Sequence, residues 1–144
     1  MKKYILVLAS SICVFIVMMI NLYYNTINLD MRVISKQLIE TNEILNDLVT
    51  KKESVLDKKD EYISRLMNIE NELENQSVSF LMKDYKKYKI KSVESLIEAI
   101  STEKSEDLKV VNKYNRLSNK ELDKLIKNNI AKVTYLSIKE FNAI

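Results

Sequence analysis

The stretch YYNTINLDMRV, residues 23–33, joins an uncharged apolar segment to a charged one without any residue that breaks a helix. The whole chain of 144 residues contains no Gly and no Pro. Tight turns usually need one of these two residues, so a folded chain that lacks both is predicted to be all-α. A β-sandwich or a Rossmann-type fold would need many such turns and is set aside. The length suggests one domain.

Upstream of this stretch, the chain carries no charged side chain from Tyr4 to Leu29. A bilayer needs about 20 apolar residues at about 1.5 Å rise each, so this segment is long enough to span a membrane. Tyr4, Tyr23 and Tyr24 lie near its ends, where amphipathic rings favour the membrane interface, and Phe15 lies inside it. We expect residues 1–25 to form a membrane anchor that carries a domain of residues 26–144.

A cleaved signal peptide is the alternative interpretation of the apolar segment. The segment is longer than the usual apolar region of about 7–15 residues, and no Ala-x-Ala-like cleavage site follows it. Ile12, which is not a small residue, precedes Cys13, so a lipoprotein cleavage site is not indicated either. The favoured interpretation is an uncleaved anchor, with Cys13 as a small side chain of the membrane helix rather than an acylation site.

The orientation follows from the charges that flank the anchor. Lys2 and Lys3 precede it, and the positive-inside tendency then places the N-terminus in the cytoplasm and the remaining domain outside. Arg32 and Lys36 compete with this bias from the other side. The predicted localisation is the cell membrane, with a single pass.

The composition also limits the chemistry. Without His there is no imidazole base and no usual zinc ligand, and without Gly there is no phosphate-cradling loop. We therefore predict that the protein is not an enzyme and needs no metal or cofactor. Removing Lys2 and Lys3 from the 23 basic residues leaves 21, against 20 acidic ones. This near-neutral body predicts no binding of nucleic acid.

Downstream of the quoted stretch, a heptad pattern runs from Ile27 to Phe80 at alternating spacings of four and three residues. It is typical of one long packed helix, which would reach about 80 Å if unbroken. Val49, Leu56 and Ile63 widen the apolar stripe, as in a bundle helix rather than a strict coiled-coil dimer.

Two lysines interrupt this seam. Lys52 and Lys59 take seam positions one heptad apart, within TKKESVLDKKDEY, residues 50–62. They predict a kink or an exposed face at this point of the helix.

The remaining chain divides into shorter helices. ENQSVSF predicts a turn at residues 75–78, and STEKSED predicts a loop at residues 101–107. Ser118 with Glu121 forms a capping-box pattern, which marks either a helix start or a local feature of a longer helix. The apolar faces of the second and last helices are Val93, Leu96, Ile97 and Ile100, and Leu122, Leu125, Ile126, Ile130, Val133 and Phe141. Burying these stripes predicts an antiparallel bundle whose first helix is continuous with the anchor.

A lysine-rich segment, MKDYKKYKIK at residues 82–91, is the candidate binding patch. Lys86, Lys87, Lys89 and Lys91 could contact anionic headgroups or an anionic wall polymer. The favoured interpretation is a solvated helix face whose lysines extend their apolar stems along the surface.

Two segments resemble the LemA family. YNTINLDMRV after an anchor is similar to the family's start, here Tyr24 and Asn25. EDLKVVNKYNRLSNKELDKLIKNNIAKVTYLSIKEFNAI resembles its C-terminal part. The matching residues there are Asp107, Leu108, Lys109, Tyr114, Leu117, Ile130, Ala131, Glu140, Phe141 and Asn142. Lys36 stands where the family usually has a Trp. The resemblance implies a membrane-anchored helical bundle with no known catalytic site.

Two functions follow from these patterns. The first is a single-pass membrane protein whose helical bundle is a scaffold or interaction module at the cell envelope. The second is a bitopic coiled-coil protein of the cell-division or envelope-assembly type, whose heptads pair with a partner helix. The expected partners are the lipid bilayer and either a membrane or envelope protein or a second copy of the chain. A subunit of an enzyme or transporter with its active residues elsewhere is the interpretation that the sequence supports least.

Overall fold

The computed structural model describes residues 2–50, 58–104 and 106–141. Within these ranges the chain forms five α-helices and one 3₁₀ turn, and no strand. The all-α prediction is therefore confirmed. The helices are α1 (Lys2–Thr50), α2 (Lys59–Asn75), α3 (Lys83–Thr102), α4 (Asp107–Ile126) and α5 (Ile130–Phe141), with the 3₁₀ turn at Phe80–Met82.

Helix α1 carries the N-terminal apolar segment into the bundle without a break. Its 49 residues include all of residues 22–34, so the predicted continuity of the apolar helix with the first bundle helix is confirmed. At about 1.5 Å per residue it is about 75 Å long. Polar residues at the junction are accommodated within the helix, because the Thr26 hydroxyl donates to the Leu22 carbonyl at 2.9 Å.

The prediction of one helix through residues 27–80 is wrong, because the chain turns back after Thr50. Helix α2 runs antiparallel along α1. The Tyr62 hydroxyl donates to Asp47 at 3.1 Å, and farther along α2 the Gln37 amide donates to Glu72 at 2.7 Å. Increasing numbers in α2 thus meet decreasing numbers in α1.

The sequence offers a physical reason for this reversal. Lysines occupy seam positions 52 and 59, so a straight helix would have no apolar side chain to bury at these two positions. When the chain folds back, the apolar seams of α1 and α2 pack against each other. Ile34 and Ile44 of α1 and Leu66 and Leu73 of α2 are fully buried. Lys52 and Val55 of the seam, and Leu56 beside it, lie outside the described residues.

The other helices complete an antiparallel bundle. Helix α3 packs against α2 and α4, and α1 packs against α2 and α5. In the α3–α4 pair, Lys89 contacts Asn115 at 3.0 Å and the Ser92 hydroxyl faces the Val111 carbonyl at 3.4 Å, which sets the two helices antiparallel. The core is formed where these faces meet, with Val93, Leu96, Ile100 and Val111 buried beside the α1–α2 seam.

The turns form without Gly. Glu103 adopts φ 59°, a left-handed conformation that usually favours Gly, and its N–H donates to the Ala99 carbonyl as a helix C-cap. Lys59 supports this turn from α2, because its ammonium lies 2.7 Å from Glu103 Oε1 and 2.9 Å from the Ser101 carbonyl. The predicted loop is thus confirmed, although α3 extends to Thr102. The turn predicted at residues 75–78 is also confirmed, since α2 ends at Asn75.

The predicted last helix is two helices. Helix α4 ends at Ile126 and α5 begins at Ile130, because Asn129 interrupts the pattern as a cap: its side chain accepts from the Lys132 N–H at 2.9 Å. Ser118 lies inside α4, and its hydroxyl donates to the Asn115 carbonyl at 2.8 Å. Of the two alternatives for the capping-box pattern, the local feature of a longer helix is the one observed.

Candidate membrane interface

The N-terminal third of α1 stands outside the bundle. Its large apolar side chains from Tyr4 to Met18 are exposed almost throughout, including Tyr4 at 80% and Phe15 at 46%. Of the described residues, only α1 forms a helix long and apolar enough to cross a membrane, and the apolar window has no buried part. An exposed apolar surface of this length is unfavourable in water, so the segment needs an apolar environment.

Two adjacent tyrosines join this segment to the far end of the chain. Tyr23 is only 1% exposed, and its hydroxyl donates to the Leu125 carbonyl and accepts from the Asn128 amide, both at 3.0 Å. The Tyr24 ring packs edge-on against Tyr23 at 5.2 Å and is 42% exposed. Tyr23 is therefore held by protein contacts at the C-terminal end of α4. Of the two rings that the sequence placed at this end of the apolar segment, only Tyr24 is exposed.

Replacing Tyr23 with Phe should lower the free energy of unfolding by about 1–2 kcal/mol, because it removes both hydrogen bonds and leaves their partners unpaired. Tyr24→Phe is the matched control, since its hydroxyl lies 3.5 Å from the Ile126 carbonyl at an exposed position. Chemical unfolding of the full chain in detergent, followed by circular dichroism, measures the difference. Equal effects of the two variants would contradict the assigned role of Tyr23.

Helix α5 also packs on α1, inside the apolar segment itself. The Ser137 hydroxyl lies 2.8 Å from the Met19 carbonyl and 2.9 Å from the Val133 carbonyl. Val133 and Ser137, four residues apart, are both buried, and the small Ser permits the close approach. The contacts of the bundle with α1 thus begin at Met19. The sequence reasoning missed this contact. The sequence offers only the spacing of Val133 and Ser137, which puts the two side chains on one face of α5.

The four lysines proposed as an anionic contact patch have separate environments. The Lys86 ammonium donates to the carbonyls of Glu74 and Gln76, where it compensates the C-terminal end of α2. Lys89 is half-buried, with its ammonium 3.0 Å from Asn115 Oδ1. Lys91 lies over the Tyr114 ring at 5.6 Å.

Lys87 is the one exposed side chain of the four, since the other three are partly buried. The open groove beside it, of about 610 Å³, is lined by lysines and also by Glu74 and Glu94. Its charge is therefore mixed, which favours the interpretation of these lysines as a structural and solvated face.

Burial lowers the pKa of the Lys89 ammonium. The unfolded chain then binds more protons than the folded one between the lowered pKa and the ordinary value. Wild-type stability should therefore rise, relative to Lys89→Met, as the pH increases toward about 10. Denaturant unfolding at several alkaline pH values up to about 10 tests this as the difference between the two proteins, in which the ionisation of the tyrosines common to both cancels. The exposed Lys87→Met is the matched control, and an offset of Lys89→Met that does not change with pH would contradict the expectation.

A basic stripe on α4 is the surface that the sequence reasoning missed. It consists of Lys109, Lys113, Arg116 and Lys120, which follow one another at spacings of four, three and four residues on one exposed face. Together with Asn112 and Leu117 these side chains line an open groove of about 560 Å³. In the described part of the chain none of the four forms an ion pair. The helical spacing of the cations was the available signal.

The residues of the family-like motif do not form one cluster. Tyr24 and Asn25 are exposed near the C-terminal end of α4, whereas Asp107 begins α4 about 30 Å away and accepts a hydrogen bond from Thr102. Leu108 is partly buried, Lys109 belongs to the basic stripe, and Tyr114 stacks on Tyr88 with ring centres 6.5 Å apart. Phe141 is exposed, and Asn142 lies outside the described residues.

No protein-family model, curated protein or solved structure matches the chain. Among the described residues, no group of three or more Cys, Asp or Glu side chains is arranged to hold a metal ion.

Proposed function

We propose that the protein is a single-pass membrane protein whose helical bundle is a non-catalytic scaffold or interaction module at the cell envelope, similar to the LemA family. The N-terminus lies in the cytoplasm and the bundle outside. The observation that carries the proposal is helix α1, which has an exposed apolar surface up to Met18 and then supplies Tyr23, Ile27 and Ile34 to the buried core. Anchor and bundle thus share one helix.

The packing of the heptad seam supports a bundle over the alternative, a coiled coil with a partner chain. Ile34, Ile44, Leu66 and Leu73 are buried by other helices of the same chain. A coiled coil of the division or assembly type would need these side chains for its partner. Light scattering on the detergent-solubilised full chain should therefore give a compact monomer after correction for bound detergent. An elongated dimer would favour the coiled coil.

Membrane insertion and orientation are tested together in bacterial cells that express the full chain. After alkaline carbonate extraction the protein should stay with the membrane pellet. In intact protoplasts, added protease should digest the bundle. Release of the protein by carbonate would contradict an integral anchor. If the protein resists extraction but is fully protected from protease, the proposed anchor holds and the orientation is the reverse of the proposed one.

The basic stripe of α4 supports a specific partner surface, namely one for an acidic protein. Four cations that form no ion pair within the described ranges follow one another on one face of a nearly neutral domain, where they concentrate positive potential, although the Lys113 ammonium also lies 5.9 Å from the centre of the Tyr114 ring. In the test, a tagged protein is crosslinked in membranes and the partners captured with it are compared. A variant in which Gln replaces all four cations of the stripe should lose the partners that the wild type captures. The matched control changes the exposed Lys36, Lys58, Lys83 and Lys87 to Gln, with the same loss of charge on other faces. Equal release by both variants would contradict a role of the stripe.

A further inference from the structure

Helix α5 has an apolar face that no other part of the described chain covers. Ile130, Tyr135, Ile138 and Phe141 are all exposed, with Tyr135 at 65% and Phe141 at 69%. At 3.6 residues per turn, these positions and Ala131 occupy about 140° of the helix circumference. The adjoining side, with Val133 and Ser137, is buried against α1, and Ser137 borders Ile130 on the helix surface. The outer face is thus apolar except for the partly buried Thr134, and the exposed Lys132 and Lys139 lie beyond its Tyr135 edge, with the Lys139 ammonium 5.2 Å from the centre of the Phe80 ring.

The length of the free part of α1 determines where this face lies relative to a bilayer. Residues 4–18 make almost no contact with the bundle and span only about 22 Å. The hydrocarbon core of a bilayer is about 30 Å thick and needs about 20 helical residues. A span that begins at Tyr4 therefore ends near Tyr23, so the helix must stay in the bilayer beyond Met19. Met19 is the residue on which Ser137 of α5 packs.

We propose that α5 is an interfacial helix that lies in the outer leaflet beside the anchor, with its apolar face among the acyl chains. Met19 lies about 6 Å below Tyr23 along α1, which matches the depth of about 5–10 Å at which amphipathic helices insert. The apolar surface of α5 is continuous with that of α1 through this contact. Lys132 then reaches the headgroups, where anionic lipids attract basic side chains. The inference rests on the proposed membrane anchor and adds a second membrane contact.

The absence of Trp from the chain provides the test, since one introduced Trp is the sole indole. The full-length variant Tyr135→Trp is reconstituted in vesicles of phosphatidylcholine and phosphatidylglycerol, with or without bromine on the acyl chains. Bromine quenches only an indole that reaches the hydrocarbon. Phe15→Trp reports on the anchor, and Met67→Trp, 56% exposed in α2, is the matched control away from the membrane.

We expect brominated lipid to quench Phe15→Trp and Tyr135→Trp, and to leave Met67→Trp unchanged. If Phe15→Trp is quenched while Tyr135→Trp behaves as Met67→Trp does, the interfacial helix is refuted and the anchor stands. If Phe15→Trp also escapes quenching, the proposed anchor itself fails. A third outcome is a Tyr135→Trp indole that is not quenched and has a blue-shifted emission, which shifts back when the protein is diluted into more lipid. This result would show that a second copy of the chain covers the face, and it would overturn the proposal. Phe141→Trp carries the same expectation should Tyr135→Trp not fold.

Discussion

Replacing Leu66 with Ala should lower the free energy of unfolding by about 2–5 kcal/mol. Leu66 is fully buried in α2, within the seam that joins α2 to α1. The substitution removes apolar area from the core and leaves a cavity that helices on several sides cannot close. Since domains of this size have a total stability of about 5–15 kcal/mol, the loss is a large part of it.

The neighbouring residue provides the control for this expectation. Met67 is 56% exposed, so Met67→Ala should change the free energy of unfolding by only about 0.5 kcal/mol. Both variants keep a residue with high helix propensity in the middle of α2. Chemical denaturation of the full chain in detergent, followed by circular dichroism, gives the two values. Similar effects at both positions would contradict the burial of the seam within one chain.

Asn28→Pro should break α1 inside the bundle, between the part that contacts α4 and α5 and the part that packs on α2. Asn28 is exposed inside the helix, so the proline ring itself would meet no neighbouring helix. Proline removes the hydrogen bond to the carbonyl four residues earlier and clashes with it, at a cost of about 3 kcal/mol or more. Asn28→Ala is the matched control and should be neutral or slightly stabilising, because Ala has the highest helix propensity.

The geometry of the break can be measured with spin labels. Cys13 is the chain's single cysteine and is exposed, and a second cysteine can be placed at the exposed Asn46. A straight α1 separates these positions by about 50 Å. Pulsed electron-spin measurements should give a narrow distance distribution near this value in the wild-type background. Asn28→Pro should shorten and broaden the distribution, and an unchanged one would contradict the continuous helix.

The helical class and the continuity of α1 could be predicted from the sequence because both depend on local properties. A chain without Gly or Pro offers no breaker at residues 22–34, and α1 runs through them. The reversal after Thr50 could not be predicted in the same way. A heptad pattern has the same period whether its two halves form one straight helix or two helices that pack on each other. The outcome depends on which helix buries each apolar stripe, and the period does not contain this information.

The contacts of the candidate interface depend on residues far apart in the chain. Tyr23 and the Leu125 carbonyl are 102 positions apart, and Ser137 and the Met19 carbonyl are 118 apart. A local pattern correctly placed Tyr23 near the end of the apolar segment, yet it carries no information on the partner of the hydroxyl. By contrast, the basic stripe of α4 was visible in the helical spacing of its cations and was overlooked because the lysine-rich segment at residues 82–91 is denser.

The shared helix α1 has a consequence for how far the bundle can reach. A domain on a flexible tether explores a large volume, whereas α1 enters the bundle directly and leaves no slack between them. The C-terminal end of helix α4 lies beside Tyr23, and the basic stripe runs from Lys120 to Lys109, about 8 to 24 Å along α4 from Leu125. In the proposed arrangement, α1 therefore holds the basic stripe within a fixed range of distances from the bilayer, and a partner that binds the stripe loses less conformational freedom than it would with a tethered domain.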